Sequence, residues 1–342
     1  MRVLIATDAW HPQVNGVVRT LTSLQESARL RGAAIRFLSP EGFATVPLPT
    51  YPDVRLAIPR AVEVARRIRE AAPDCIHIAT EGPIGHSVRA FCLRESLPFT
   101  TSYMTKFPEY VSARIRLPES VSYWLLRRFH AAARVTMAST DSLMGELRRH
   151  GFRKLGLWTR GVDTDLFTPA RPAPLDLPRP IFMNVGRVAV EKNLPAFLSL
   201  DLPGSKVVIG DGPQLPELRA RFPGTHFLGS KGGADLAAHM AAADVFVFPS
   251  RTDTFGVVQL EALACGVPVA AFPVTGPRDV LGDRPIGALH DDLGEACQRA
   301  LSVSRTACRD FALTRSWDTS ARQFLRNVAH ARLDRAPGRL AA

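Results

Sequence analysis

The chain has 342 residues, of which 46% are apolar and 22% are charged. This length exceeds what one compact core usually holds, and it suits two domains of about 150 residues each. The composition is that of a globular protein. No stretch reaches the roughly 18 uninterrupted apolar residues of a membrane span, so we expect a soluble protein.

The net charge of +11 lies mostly in the first half of the chain, where residues 1–170 carry 23 Lys and Arg against 15 Asp and Glu. Such an excess indicates an anionic partner, which can be nucleic acid, an anionic lipid surface or a phosphorylated substrate. Only 5 of the 43 basic residues are Lys, and no more than two basic residues are consecutive. We therefore expect no nucleic-acid partner.

The first residues and the cysteines both favour the cytoplasm. MRVLIATDAW runs from Met directly into a strand-like segment, without the cationic start and apolar stretch of a signal peptide. The cysteines lie far apart, form no C-x-x-C pair, and are odd in number, which disfavours both a disulfide framework and a structural zinc. They are Cys75, Cys92, Cys265, Cys297 and Cys308.

Short apolar runs alternate with helical patterns from residue 1 to residue 168. The strand-like runs are RVLIAT, AIRFLSP, CIHIAT, FTTSY and VTMAST. The helical patterns are VVRTLTSLQESARLRG, VEVARRIREAAP, HSVRAFCLRESL, VSYWLLRRFHAAA and MGELRRHG. This order predicts an α/β domain with a parallel sheet and helices on both faces.

A Pro-rich segment then interrupts the alternation. We assign residues 169–180 as a linker and hinge, and residues 181–315 as a second Rossmann-like domain, because IFMNVGR, KVVIGDGP, VFVFPS and VPVAAF alternate with helical patterns there. A last amphipathic helix in residues 316–335 should pack back towards the N-terminal domain. The prediction is two Rossmann-like domains whose parallel sheets face each other across a cleft.

Several common catalytic signatures are missing. The chain has no G-x-G-x-x-G, G-x-x-x-x-G-K-[ST], H-E-x-x-H or G-x-S-x-G, which argues against dehydrogenases, P-loop NTPases and serine hydrolases. Asp163 and Asp165 form a D-x-D pair, but two carboxylates do not define a magnesium site. We expect no metal.

Two turns carry residues suited to a diphosphate. In the first βα turn, Asn15 and Gly16 can adopt positive φ, and the following helix points free backbone N–H groups at the sheet edge. In the second domain, Arg187 follows the strand IFMNVG and Lys192 comes five residues later. Two cations on one loop match a diphosphate, and ordinary surface salt bridges are the alternative interpretation.

The segment VFPSRTDTFGVVQLEALACG is the most informative in the chain. Asp253 lies in a loop after a strand, Glu261 lies eight residues later on a helix, and Gly256 between them lets backbone N–H groups approach a ligand. This spacing resembles the E-x7-E element of glycosyltransferase family 4, the retaining GT-B enzymes, with Asp253 in the first carboxylate position.

Motifs from both halves strengthen the resemblance, which spans about residues 1 to 330. They resemble the branch of GDP-mannose-dependent α-mannosyltransferases and related glycolipid synthases. The segments are TDAWHPQVNGVVRTL, IHIATEGPIG, LRRFH, LWTRGVDTDLFTP, NVGRVAVEKN, VIGDGP, FPSRTDTFGVVQLEALACGVPVAA and VTGPRDV.

Carried over residue by residue, the resemblance implies a donor site whose catalytic residues would be Arg187, Lys192, Asp253 and Glu261. Arg187 and Lys192 would hold the diphosphate, Glu261 the ribose, and Asp253 the sugar. The remaining donor-binding residues would be Asn15, Gly16, Gly186, Phe227, Leu228, Gly229, Ser230, Thr254, Phe255, Gly256 and Val257.

Acceptor-side residues follow from the same comparison. Glu81 and His86, in ATEGPIGH, would face the acceptor, with a purely structural role as the alternative. Met104, in TSYMTKF, stands where relatives carry a His that reaches the donor sugar. Asp253 in place of Glu keeps the charge but is one methylene shorter.

The resemblance implies a retaining hexosyl transfer from a nucleotide-sugar donor to a lipid or glycan acceptor. Attack would occur on the front face, with no protein nucleophile and no metal. Mannose and GDP are favoured; UDP-dependent glucosyl, glucuronosyl or sulfoquinovosyl transfer to diacylglycerol is the alternative. A nucleotide-sugar epimerase and a non-catalytic nucleotide-binding protein are further alternatives.

A basic N-terminal half suggests that the protein is cytoplasmic and rests on the anionic inner face of the membrane. Each basic residue near such a surface contributes about 1 kcal/mol. The residues are Arg66, Arg67, Arg69, Arg127 and Arg128. Closure of the two domains, hinged at residues 160–180, would exclude water from the activated sugar.

Overall fold

The computed structural model describes residues 1–13, 15–48, 51–105 and 118–333, with side chains throughout except at 48 and 51–54. The chain forms two compact units. The first contains Met1–Thr159 and the residues from Asp318 onward, and the second is Arg160–Trp317. The Pro-rich segment 169–180 therefore belongs to the second unit.

The first unit is an α/β fold. Its strands are β1 (Arg2–Ala6), β2 (Ala34–Leu38), β3 (Thr45–Leu48), β4 (Tyr51–Ala57), β5 (Cys75–Ile78), β6 (Thr100–Ser102), β7 (Thr136–Ala138) and β8 (Leu155–Leu157). Its helices, before the C-terminal one, are α1 (Gly16–Leu30), α2 (Ala61–Ala71), α3 (Pro83–Arg94), α4 (Glu119–His130) and α5 (Asp141–Arg149). Six strands form a parallel sheet in the order β2-β1-β5-β6-β7-β8, and β3 pairs antiparallel with β4.

Strand β1 shows why this sheet is covered on both faces. Val3 and Ile5 pack in one apolar cluster, and Leu4 and Ala6 pack in another. Since successive side chains of a strand point to opposite faces, both faces must bury apolar surface. A continuous apolar run is typical of parallel strands covered by helices on both sides.

The second unit repeats this architecture. Its strands are β9 (Ile181–Val185), β10 (Ser205–Ile209), β11 (His226–Phe227), β12 (Val245–Phe248), β13 (Val269–Ala271) and β14 (Gly287–Leu289). Its helices are α6 (Leu194–Leu198), α7 (Leu215–Arg221), α8 (Gly233–Ala241), α9 (Val257–Ala264), α10 (Thr275–Leu281), α11 (Leu293–Ala300) and α12 (Arg305–Leu313). The parallel order is β11-β10-β9-β12-β13-β14. Two parallel sheets flanked by helices confirm the predicted α/β class.

The C-terminal helix, α13 (Trp317–Ala329), belongs to the first unit from Asp318 onward. Its buried face packs Phe324 against Trp158, with ring centroids 4.9 Å apart. Trp158 Nε1 donates to Ser320 Oγ at 3.0 Å, and Asn327 Nδ2 donates to the Leu157 carbonyl at 2.9 Å. The helix thus supplies part of the first unit's core.

Candidate active site

Two loops meet at the carboxyl edge of the second sheet. One follows β9 and contains the 3₁₀ turn Val190–Lys192, and the other follows β12. Asn193 Nδ2 donates to the Pro249 carbonyl at 3.0 Å, and Ser250 Oγ donates to the Glu191 carbonyl at 3.1 Å. Adjacent parallel strands end at the same edge, and these two hydrogen bonds fix the separation of the loops.

An ion pair between Lys192 and Asp253 joins the same two loops. Lys192 Nζ lies 2.7 Å from one carboxylate oxygen and 2.9 Å from the other. The two side chains are 27% and 15% exposed. The structure thus brings together the predicted diphosphate lysine and the predicted sugar carboxylate. A phosphate reaching Lys192 would replace one anionic partner by another.

Arg187 leaves the same strand end as Lys192. It follows Gly186 directly after β9 and is half-buried. The backbone of Gly210, after β10, approaches the Gly186 carbonyl so closely that a Cβ on Gly210 would collide with it. Two neighbouring strand ends are therefore packed backbone to backbone beside Arg187.

A tight turn at Gly256 begins α9. Gly256 has φ +77°, and a Cβ there would lie 2.7 Å from both the Phe248 ring and Gln259 Nε2. Gln259 Nε2 donates to the Phe255 carbonyl at 2.7 Å. Thr254, Phe255 and Val257 are half-buried in this turn. Glycine is required here because a side chain has neither the conformation nor the space.

Glu261 lies on α9 below this turn and is only 3% exposed. Burial first, and the charge of Glu261 second, raise the pKa of the Cys265 thiol to about 12. Glu261 is therefore buried within the second unit, close enough to Cys265 for its charge to act on that thiol. Its assignment to a ribose remains a prediction.

Helix α10 closes the other side of the Gly256 turn. A Cβ on Gly276 would lie 2.9 Å from the Asp253 carbonyl oxygen and 3.0 Å from the Phe255 carbonyl oxygen. The first turn of α10 therefore packs against the loop that carries the predicted sugar carboxylate. Neither Gly276 nor Gln259 was singled out from the sequence; a glycine inside the VTGPRDV motif was the available signal for Gly276.

Residues 227–230, which the resemblance assigns to donor binding, lie at the same edge. Phe227 to Gly229 are half-buried and Ser230 is exposed. The Leu228 N–H donates to the Val208 carbonyl at 3.0 Å, and the Gly210 N–H donates to the Gly229 carbonyl at 2.8 Å. The backbone of residues 227–230 is thus fixed beside β10, one strand away from β9.

In the first unit, the prediction of positive φ at Asn15 and Gly16 is wrong. Asn15 is extended (φ −150°), and its Oδ1 accepts hydrogen bonds from the N–H groups of Val17 and Val18, each at 3.0 Å. Asn15 is the N-cap of α1, which requires extended backbone rather than a left-handed turn. Gly16 is exposed, and a Cβ on it would meet nothing within 4 Å.

Asp8, two residues after the end of β1, is a buried carboxylate beside the predicted acceptor-side motif that the sequence did not single out. Its carboxylate accepts from the Ile84 N–H and the Thr80 hydroxyl, both at 2.8 Å, and from the Gly85 N–H at 3.3 Å. Burial, opposed by these hydrogen bonds, raises the pKa of Asp8. Asp8 therefore stabilises the start of α3 from the neighbouring strand, within the TEGPIGH motif.

Glu81 is bound to a buried hydrogen-bond chain. Its Oε1 lies 3.0 Å from His130 Nε2, and His130 Nδ1 lies 2.8 Å from Thr101 Oγ1. Thr101 Oγ1 lies 3.0 Å from Thr136 Oγ1. His130 is 3% exposed. His130 is thus a structural partner of Glu81. The acceptor-side role of Glu81 remains a prediction.

His86 and Met104 differ in accessibility. His86 is exposed, and its ring centroid lies 4.8 Å from that of Phe129. Burial first and Arg89 second lower the pKa of His86. Met104 is 8% exposed and packs in the apolar cluster that contains Ile5. Met104 therefore fills core space in the position where the resemblance expects a His.

Within the described ranges, no group of three or more His, Cys, Asp or Glu residues lies close enough together to hold a metal ion. In the D-x-D pair, Asp163 Oδ1 accepts from the N–H groups of Asp165 and Leu166 at 3.1 and 3.0 Å. This carboxylate thus stabilises a local turn. None of the described helices is long and apolar enough to cross a membrane.

Two family models match the chain, each mainly within one unit. The model described as Glycosyltransferase Family 4 matches residues 14–166. The model described as Glycosyl transferases group 1 matches residues 179–303, which include the Lys192–Asp253 pair and the Gly256 turn.

Curated relatives agree with these matches. The GDP-mannose-dependent alpha-mannosyltransferase of Mycobacterium tuberculosis (strain CDC 1551 / Oshkosh) is 28% identical, with 93% of each chain covered. The sulfoquinovosyl transferase SQD2 of Arabidopsis thaliana is 31% identical over 70% of this chain and 50% of its own length.

Among solved structures, a sucrose-phosphate synthase from Thermosynechococcus elongatus superimposes with a TM-score of 0.77 at 18% identity, over 95% of this chain and 97% of the other. At that identity the similarity establishes the fold, which is GT-B. Together with the two domain matches, these findings show that the chain belongs to glycosyltransferase family 4.

Proposed function

We propose that the protein is a retaining, metal-independent hexosyltransferase that moves mannose from GDP-mannose to a hydroxyl group of a membrane lipid or glycolipid. The observation that carries the proposal is the Lys192–Asp253 pair at the sheet edge that also bears Arg187. Such an edge supplies cations for a diphosphate and a carboxylate for sugar hydroxyls.

The reaction breaks the bond between the anomeric carbon and the diphosphate oxygen, and the electron pair leaves with the diphosphate. Arg187 and Lys192 lower the barrier because they stabilise the negative charge that grows on the leaving group. The acceptor oxygen attacks the face that the diphosphate vacates, and its proton passes to the departing phosphate. This pathway retains the anomeric configuration and requires no protein nucleophile.

Relatives support the donor and acceptor classes. Three relatives are named GDP-mannose-dependent alpha-mannosyltransferases, at 27 to 29% identity. A relative from Streptococcus pneumoniae, 24% identical, is named alpha-monoglucosyldiacylglycerol synthase, which supports a lipid acceptor.

A UDP-sugar-dependent transferase that makes a diacylglycerol glycolipid is the second candidate. The 31% identity to the Arabidopsis sulfoquinovosyl transferase favours it. The two candidates use the same diphosphate contacts but differ in base and sugar. Comparing the binding of guanine and uracil nucleotides therefore separates them.

The first experiment is a thermal-shift panel of GDP-mannose, GDP, UDP-glucose, UDP-glucuronate and UDP on the wild type, Arg187→Ala and Lys192→Ala. A ligand at about 100 times its Kd adds about 2.7 kcal/mol of stability. We expect guanine nucleotides to stabilise the wild type and to lose most of that effect in both variants.

A matched control is Arg299→Ala, which removes an exposed cation paired with Glu295 on α11 of the same unit. It should respond to GDP like the wild type. Stabilisation by uracil nucleotides alone would replace the proposal by its second candidate. No shift with any nucleotide would indicate a non-catalytic protein.

Transfer itself is measured as label moving from GDP-[14C]mannose into a lipid extract of membranes. Release of GDP that depends on added lipid supports a transferase. Conversion of the nucleotide sugar without any acceptor would instead indicate an epimerase.

A further inference from the structure

Helix α4 exposes three large apolar side chains on one face. Val121 is 41%, Trp124 48% and Leu125 51% exposed. With Arg128, they occupy positions i, i+3, i+4 and i+7 of the helix, so they form a single stripe along it.

The opposite face of α4 is firmly packed. Tyr123 and Leu126 belong to one buried cluster and Phe129 to another. Tyr123 Oη donates to Glu146 Oε1 at 3.0 Å. The exposed stripe is therefore the outer face of an anchored helix and not a frayed end.

Cations border the stripe. The guanidinium carbon of Arg128 lies 5.8 Å from the centroid of the Trp124 ring. Arg89 Nη2 donates to the Arg128 carbonyl at 3.1 Å, and burial first and Arg128 second lower the pKa of Arg89. Further exposed cations at the end of α4 and around the end of α5 are Arg127, Arg148, Arg149, Arg153 and Lys154.

The other predicted basic cluster, on α2, is largely neutralised. Arg66 pairs with Glu63 and with Glu70, and Arg67 also pairs with Glu63. In the part of the chain that the structure describes, no carboxylate pairs in this way with Arg127 or Arg128. Helix α4 is thus the stronger site for an anionic surface.

We propose that the α4 face formed by Val121, Trp124, Leu125 and Arg128 docks onto an anionic lipid bilayer. The apolar stripe would lie at the boundary between headgroups and acyl chains, while the neighbouring arginines contact lipid phosphates. Aromatic and aliphatic side chains bordered by cations complement this environment, because it offers hydrocarbon and negative charge side by side.

A lipid surface fits better than a protein partner. A stable protein interface takes about 20–30 residues from each partner, whereas this stripe offers three large apolar side chains. The inference rests on the proposed function, since a lipid acceptor explains why a transferase would dock there. The surface itself can nevertheless be tested without any donor or acceptor.

Vesicle co-sedimentation tests the surface. Full-length protein is mixed with phosphatidylcholine vesicles, with or without 30% phosphatidylglycerol, at low and high salt. We expect binding to the anionic vesicles that falls with salt, and about tenfold weaker binding for the Trp124→Ser/Leu125→Ser variant. Arg127→Gln/Arg128→Gln should lose anionic selectivity and salt dependence.

Leu30→Ser is the matched control, because Leu30 is 76% exposed on α1, away from α4 in the chain. It should bind vesicles like the wild type. Trp124→Phe, which keeps an aromatic ring, should retain most binding. Circular dichroism and Tm confirm that each variant is folded.

Failure of wild-type binding to anionic vesicles, or unchanged binding by Trp124→Ser/Leu125→Ser, would overturn the proposal. So would a change of oligomeric state in that variant by sedimentation velocity, which would make the face an interface between copies. The GDP thermal shift of the same samples tests the proposed function separately. If a variant loses vesicle binding but is still stabilised by GDP, the change affects the α4 surface and not the donor site.

Discussion

Lys192 Nζ contacts both carboxylate oxygens of Asp253, at 2.7 and 2.9 Å, across 61 positions of sequence. The two residues leave the carboxyl ends of β9 and β12, which are neighbours in the second sheet. In the proposed donor site, a diphosphate would compete with Asp253 for Lys192, and the sugar would meet an Asp253 side chain that Lys192 holds in place.

The first prediction concerns this competition. Asp253→Asn removes the carboxylate that competes for Lys192, so GDP should bind about two- to fivefold more tightly, as expected for a partly exposed ion pair. GDP-mannose should lose its advantage over GDP, because the sugar contact is gone. Isothermal titration of both ligands measures this, and Asp253→Glu, which keeps the charge, is the control. Weaker GDP binding by Asp253→Asn would contradict the competition.

The second prediction concerns the Gly256 turn. Gly256→Ala places a Cβ at φ +77° and within 2.7 Å of the Phe248 ring and Gln259. We expect a loss of about 1–3 kcal/mol in the free energy of unfolding and a loss of nucleotide binding. Urea denaturation and thermal shift measure both effects.

Gly224→Ala is the control for that substitution. Gly224 lies outside the positive-φ region, and a Cβ there would meet nothing within 4 Å. The variant should be as stable as the wild type. Equal stability of the two alanine variants would refute the steric argument.

The third prediction is a pH dependence at Asp8. Burial raises the folded-state pKa of Asp8 above its ordinary value of 3.8, so the folded protein holds this proton more tightly than the unfolded chain does. The resulting stability is fully present below the unfolded pKa and is lost as pH rises through the folded pKa.

Asp8→Asn, which does not titrate, isolates this effect. The unfolding free energy of the wild type minus that of Asp8→Asn should increase as pH falls from about 7 to about 4. Urea denaturation at three pH values measures the difference. A difference that shrinks with falling pH would mean that the hydrogen bonds from Ile84 and Gly85, rather than burial, dominate the pKa of Asp8.

The fourth prediction concerns Met104. Met104→His puts a polar ring into an apolar cluster at a position that is 8% exposed. We expect it to lower the free energy of unfolding by about 1–3 kcal/mol. Met104→Leu should cost less than about 1.5 kcal/mol. Chemical denaturation compares them, and a His variant as stable as the Leu variant would show that the site is polar or wet.

Most of the fold could be predicted from the sequence, because its signals are local. The buried run Val3–Ala6 and the alternation of strands with amphipathic helices specify parallel sheets covered on both faces. The eight-residue spacing from Asp253 to Glu261 and the glycine between them identify the family, since a loop and the helix after it lie close in sequence.

Contacts between distant segments were decided by the tertiary structure alone. The sequence places Lys192 and Asp253 in separate loops, and only the order of β9 beside β12 brings their charges together. Asn15 followed by Gly16 suits either a left-handed turn or an N-cap, and the hydrogen bonds to Val17 and Val18 select the cap. The sequence shows an arginine excess but not which arginines are available to a partner. The structure pairs Arg66 on α2 with Glu63 and Glu70. On α4, the exposed side chains of Trp124 and Leu125 lie beside arginines that have no such carboxylate partner among the described residues.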